Sequence, residues 1–321
     1  MFKTETVNID NNTIIRTKSD LGNSFDLMLS IGSLVWNLSL DNKNILWNPG
    51  KTAKTFVNEP ELCGIPVLAP WSNRLASKEY VIEKKKYSLS TPYTFLSDQN
   101  DLPLHGLILF SNAFKLKNIH NTKDFSEIIT YLNFEDHPNL LKEFPIPHIL
   151  EIRYQLLKNE LIIDTSIENT SELRLPIAIG FHPYFALNDI PRKNWTIELP
   201  DCQKIISNQK LLPTGDFQSI SDKQLSITKK EYDIGFLLKK TNQENTIILK
   251  NDIYSIKTIL GSKFKVLQIY APLDQNFVCI EPMTAITNAF NLYAEGKYQE
   301  LDFLAPNEIW KEKFSIKVEN N

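Results

Sequence analysis

The chain has 321 residues, 42% hydrophobic and 23% charged, with a formal net charge of -3. That length accommodates one large domain or two ordinary ones and supports a substantial core. The balanced charge gives no basic face for nucleic acid or an anionic membrane, and no apolar run approaches the ~18 residues of a membrane span.

The opening stretch, "MFKTETVNID", lacks the charged and apolar regions of a signal peptide. Cys63, Cys202 and Cys279 are odd in number and widely spaced, forming neither a disulfide framework nor a metal-ligand pair. A reduced, cytoplasmic setting is expected.

In chain order, the dominant signal is alternation of period two. It begins with "SFDLMLS" and "SLVWNLSL" and is clearest at "ILEIRYQL". There Leu150, Ile152, Tyr154 and Leu156 share one face, and Glu151, Arg153 and Gln155 the other. After a "KNE" turn, "LIIDTSI" returns with Leu161, Ile163, Thr165 and Ile167 on the apolar face, which predicts an antiparallel hairpin with one solvated side. The stretches "WTIELP", "TIILKND", "YSIKTIL" and "FKVLQIYAPL" continue the pattern, so strands are expected from about residue 12 to residue 317. Short helices are expected only at "HPNLLKEF" and after Asn288. Many short strands without a linker or a composition break predict an all-β fold, an antiparallel sandwich or barrel, as one domain over residues 1–321.

The sequence contains no P-loop, dinucleotide-binding glycine fingerprint, HExxH, CxxC or GxSxG. Acid/base chemistry, or binding without chemistry, remains, and neither a cofactor nor a metal is expected.

Five places put polar residues in apolar company. In "CGIPVLAPWSNRLAS", Trp71 precedes Asn73 and Arg74, which read either as a surface turn or as hydroxyl-binding donors beside an aromatic ring. In "DLPLHGLILF", His105 is a core histidine or a cleft residue, and Gly106 permits close backbone approach. In "LPIAIGFHPYFAL", His182 has the same two readings, but Pro183 marks a strand end, where side chains reach clefts. In "EYDIGFLLKK", Asp233 is a turn former or a ligand contact. In "LQIYAPLDQNFVCIEP", Gln268 and Glu281 lie on apolar strand faces, and desolvation should raise the Glu281 carboxyl unless donors compensate. His120, His137 and His148 sit in polar or proline-rich connections and are assigned no role.

Two histidines and a glutamate supply an acid, a base and a helper. Asn73, Arg74, Asp233 and Gln268 suit a polyol, while Trp71 and Tyr184 offer faces for a pyranose ring. Opening of a cyclic hemiacetal needs one proton removed from the anomeric hydroxyl and one delivered to the ring oxygen. Reclosure on the other face then inverts the anomeric centre.

The strings "NRL", "LHG", "GFHPYF", "YDIGF", "LQIY" and "CIEP", in this order from Asn73 to Pro282, resemble the aldose 1-epimerase (galactose mutarotase) family. The resemblance implies a large β-sandwich of the galactose-mutarotase type, a supersandwich, with the sugar in a cleft on a curved sheet. It implies that Glu281 is the general base on the C1 hydroxyl, that His182 is the general acid on the ring oxygen, and that His105 polarises the sugar. Asn73, Arg74, Asp233 and Gln268 match hydroxyl-binding positions. The expected substrate is a free aldohexose such as glucose or galactose, and the expected assembly is a monomer or weak homodimer. Two departures from better-known members stand out: "CGIPVLAPWS" replaces a glycine-rich approach to the first motif, and Leu107 follows Gly106. A hexose-6-phosphate 1-epimerase and a non-catalytic sugar-binding protein on the same fold are the rival readings.

Overall fold

A computed structural model describes residues 1–90, 95–187, 190–240 and 244–321. Antiparallel sheets dominate it. A five-stranded sheet runs through Phe2–Ile9, Asn12–Ser19, Ser24–Met28, Leu34–Leu40 and Lys43–Asn44. A nine-stranded sheet includes Lys115–Asn121, Ser126–Asn133, His148–Leu156, Glu160–Asn169, Ile309–Asn320, Tyr254–Leu260 and Asn245–Lys250, in that order. An eight-stranded sheet runs from Pro213–Ser219 through Cys202–Ser207, Tyr232–Leu238, Val266–Ala271 and Phe277–Met283 to Gly180–Phe181 and Val67–Leu68, with Tyr184–Ala186 also pairing on Phe277–Met283.

The alternation in the sequence becomes the two faces of these sheets. In the His148–Leu156 hairpin, Ile152 pairs with Thr165, Tyr154 with Ile163 and Leu156 with Leu161. These residues are buried, while Glu151, Arg153 and Gln155 are not. The main core gathers side chains from Phe2 to Val318, including Phe181, Phe264 and Phe314, whose rings pack on one another at tilted and edge-to-face angles. Helices are short: Ala53–Asn58, Pro138–Glu143 and Ala289–Ala294. Among the described residues no helix is long and apolar enough to cross a membrane.

Two elements differ from expectation. Strands begin at Phe2, not near residue 12, because Phe2–Ile9 is an edge strand whose side chains are mostly solvated and carry no clear apolar face. Ala53–Asn58 forms a helix that buries Phe56 alone, too short to show a periodic stripe. His148 is a core histidine: it stacks on Phe134 at 3.8 Å and its Nδ1 meets the Ile146 carbonyl at 2.7 Å. Burial lowers its pKa to about 4.

Candidate active site

Pro183 divides what would be one strand into two. Gly180 pairs with Met283, and Tyr184 pairs with Cys279, on the same Phe277–Met283 strand. Between them, His182 donates its backbone N–H to the Pro66 carbonyl at 3.1 Å. Its ring is left beside Glu281, which lies on that same strand opposite Gln268. His182 Nε2 is 3.4 Å from Glu281 Oε1, and both side chains are almost fully buried. Tyr184 stacks on the His182 ring at 4.5 Å with planes 8° apart, which fixes the imidazole.

His105 arrives on a separate segment locked to the first polar motif. Its N–H meets the Asn73 carbonyl at 2.9 Å, and Arg74 bridges to Leu104. Asn73 and His105 both have left-handed backbones, φ 56° and 64°, which an asparagine tolerates readily and a histidine less so. Gly106 continues at φ 80°, where an added Cβ would stand 2.0 Å from the Ala69 carbonyl oxygen. The glycine is therefore required for the approach that brings His105 within 5.1 Å of His182, edge to face.

Arg74 is held by three oxygens. Its Nε donates to Asp98 Oδ2 at 2.7 Å, its Nη1 donates to Asn73 Oδ1 at 3.0 Å, and Asp233 Oδ2 lies 3.7 Å from Nη2. Asp98 Oδ1 also accepts from the N–H groups of Asn100 and Leu102. Burial alone would raise the Asp98 carboxyl, but bonds from Leu102, Arg74 and Asn100 outweigh it and hold it below the usual range.

These groups line a cleft of 840 Å³. Asn73, Arg74, His105, His182, Tyr184, Asp233 and Glu281 all reach it. Two expected residues do not. Trp71 is buried in the core near Tyr80, because its segment pairs with Ala178 and turns the indole away from the cleft. Trp47 stands at the cleft instead, packed on Phe277 at 4.8 Å. Gln268 lies behind the cleft in an adjoining hollow, where its amide donates to Asp233 Oδ1 at 2.5 Å.

The electrostatics favour neutral forms. Burial pushes the Glu281 carboxyl well up, with Asp233 adding and Arg74 opposing. Burial lowers His182 to about 3 and, with help from His182 and Arg74, holds His105 well below its ordinary value. Glu281 Oε2, His182 Nδ1 and His105 Nδ1 are buried without a hydrogen-bond partner in the protein. Arg74 is the single cation among the described lining residues, against Glu61, Asp98, Glu231, Asp233 and Glu281. No three His, Cys, Asp or Glu side chains among the described residues are grouped to hold a metal ion.

Sequence reasoning missed Asp98, Trp47 and Phe277. Asp98 in "SDQNDLP" reads as a turn former, and it is one, since only Oδ2 faces Arg74. Trp47 in "NILWNPG" carried a signal that was available: a large aromatic directly before an Asn-Pro-Gly turn.

Solved structures with the same fold include a galactose mutarotase-like protein from Clostridium acetobutylicum, 22% identical, with a TM-score of 0.86 over 100% of this chain and 99% of that one. A galactose 1-epimerase from Lactobacillus acidophilus NCFM is 15% identical, with a TM-score of 0.77 over the whole of both chains. The uncharacterized protein YihR of Escherichia coli K12 is 23% identical over 255 residues, 74% of this chain and 77% of that protein. Residues 27–317 match the aldose 1-epimerase family along a stretch that contains every residue of the buried pair, its histidine neighbour and the arginine clamp, and the chain belongs to that family.

Proposed function

We propose that the protein is a mutarotase that interconverts the α and β anomers of a free aldohexose such as glucose or galactose. The observation that carries this reading is the His182–Glu281 pair, 3.4 Å apart, at the cleft with a free polar atom on each partner. The O1 and O5 atoms of a pyranose share one carbon, so an acid and a base acting on them must stand close together. Glu281 takes the proton from O1, His182 delivers one to O5, and the C1–O5 bond breaks to give the open-chain aldehyde. Rotation about C1–C2 and the reverse transfers close the ring on the other face. His105 supports the developing charge, while Arg74, Asn73 and Asp233 hold hydroxyls.

The charge of the cleft favours an uncharged sugar over a hexose 6-phosphate. The one cation among its described lining residues is already engaged by two carboxylates, and a phosphate would meet the remaining acids. Polarimetry on freshly dissolved α-D-glucose and α-D-galactose tests the reading. The wild type should accelerate the decay of rotation. Glu281→Gln and His182→Asn should each lose roughly 10²–10⁴-fold with the fold intact. Sugar binding without any acceleration would make the protein a sugar-binding module; acceleration confined to sugar phosphates would overturn the choice of substrate.

A further inference from the structure

Building on the mutarotase reading, we infer that Asn288 is a positioning residue for Arg74: it takes the place of a neighbouring strand along the segment that carries the guanidinium. The segment Asn73–Ala76 is bonded on two sides. On one side the Asn73 carbonyl accepts from the His105 N–H, and the Leu75 N–H donates to the Pro103 carbonyl, each at 2.9 Å. The Arg74 carbonyl and the Ala76 N–H alternate with these and point the other way.

Asn288 takes both of these groups. Its backbone N–H donates to the Arg74 carbonyl at 2.9 Å, and its Oδ1 accepts from the Ala76 N–H at 3.0 Å. A residue in a parallel ladder makes the same two bonds, around one partner residue, with its own N–H and carbonyl. Asn288 makes them around Leu75, with an amide oxygen where the main-chain carbonyl would be. The oxygen is itself held, because Asn291 Nδ2 donates to it at 2.7 Å while Asn291 Oδ1 accepts from the Val81 N–H at 3.0 Å.

The helix does not account for this side chain. Asn288 is the N-cap of Ala289–Ala294, where an asparagine ordinarily accepts from an N–H of the first turn. It makes no such bond, and its backbone is left-handed at φ 61°. The buried amide is turned instead to the Arg74 segment. Asp98 and Asn73 fix the tip of the arginine, and Asn288 fixes the backbone from which it springs. A small shift of that backbone is carried to the far end of a long side chain, where the sugar hydroxyls are held.

Asn288→Gly keeps the left-handed backbone and the N–H but removes Oδ1, whereas Asn288→Asp keeps all three. Equilibrated glucose and galactose are titrated into each protein by calorimetry, and mutarotation is followed by polarimetry. Asn288→Gly should weaken sugar binding about tenfold, with the loss in KM more than in kcat, and Asn288→Asp should keep most of the wild-type affinity. In an Arg74→Ala background, which has no guanidinium to misplace, adding Asn288→Gly should change affinity by less than about twofold. Asn291→Ala puts a good helix former in place of the second amide and should weaken binding in the same direction to a smaller extent, which keeps the test open if the glycine variant does not fold. Phenylglyoxal labelling of Arg74 without sugar, read by mass spectrometry, should be faster in Asn288→Gly and Asn291→Ala than in wild type and unchanged in Asn288→Asp. The inference is overturned by a glycine variant with a lowered urea midpoint but wild-type affinity and labelling. Equal losses with and without Arg74, or an aspartate variant as weak as the glycine one, overturn it too. A wild type that neither binds nor accelerates either sugar defeats the mutarotase reading, and the labelling then still decides the role of Asn288.

Discussion

Replacing His182 with asparagine should flatten the acid limb of stability. An unfolded histidine titrates at ~6.5, whereas His182 in the fold is depressed to about 3 by burial. The stability tied to a depressed pKa is fully present above the unfolded value and lost as pH falls toward the folded one. At about pH 4.5 the unfolded chain has taken up this proton and the folded chain has not. The gap of about two units, at ~1.4 kcal/mol each, amounts to ~2.5 kcal/mol lost relative to about pH 7.5. His148, at about 4 in the fold, adds a loss of similar size that persists in the variant. Urea unfolding of wild type and His182→Asn at both pH values isolates the proton, because the packing cost of the substitution is the same at each. The free-energy difference between the two proteins should move by ~2.5 kcal/mol in favour of the variant on going to the acid condition. Parallel pH dependences would refute the reasoning and mean that the imidazole titrates near its ordinary value inside the fold.

Asp98→Asn keeps the acceptor for the N–H groups of Asn100 and Leu102 but removes the charge facing Arg74 Nε. Bonds to charged groups are worth about 1.5–3 kcal/mol, so steady-state mutarotation kinetics should show kcat/KM falling roughly tenfold or more, carried by KM as the guanidinium loses its alignment. Gly106→Ala places a Cβ 2.0 Å from the Ala69 oxygen at a φ of 80°. A loss of about 3 kcal/mol or more is expected, read as a lowered urea midpoint, and the activity of the folded fraction should drop because His105 is displaced.

How much of this was legible in the sequence depends on the range of the interaction. Alternation is local, so the hairpin of Leu150 to Ile167 and the strands around Gln268 and Glu281 could be read directly. The polar residues in apolar runs were legible for the same reason: His105, His182 and Glu281 break a pattern that their own neighbours set up. Trp71 and Trp47 show the limit. Each is a tryptophan near a proline, and only long-range pairing decides between them. Trp71 bridges Ala178 and faces the core, whereas Trp47 bonds through its N–H to the Tyr184 carbonyl and faces the cleft. Gln268 was placed on the correct strand, but which hollow it enters depends on Asp233 across the ladder. Asp98 lies 24 residues from its arginine, in a turn that fully accounts for its presence in local terms.

The proton balance of the pair sets what a buried site demands of the proposed mutarotation. Ring opening removes one proton from O1 and adds one to O5, so His182 and Glu281 need a single proton between them. In the proposed mechanism the arrangement that opens a closed ring has this proton on His182 and an ionised Glu281. Once the ring is open the arrangement is exchanged: Glu281 is protonated and His182 neutral. Burial favours the second arrangement at both residues, raising the carboxyl and depressing the imidazole. Arg74 pulls the other way on Glu281, and the hydroxyls of a bound sugar would add donors to the carboxylate. The arrangement that reacts with a closed ring in the proposed mechanism is therefore the costlier one, reached when the proton passes from Glu281 to His182. Desolvation thus opposes the ion pair that the proposed ring opening requires, and Arg74 together with the hydroxyl donors of a bound sugar works against that cost at the Glu281 carboxylate.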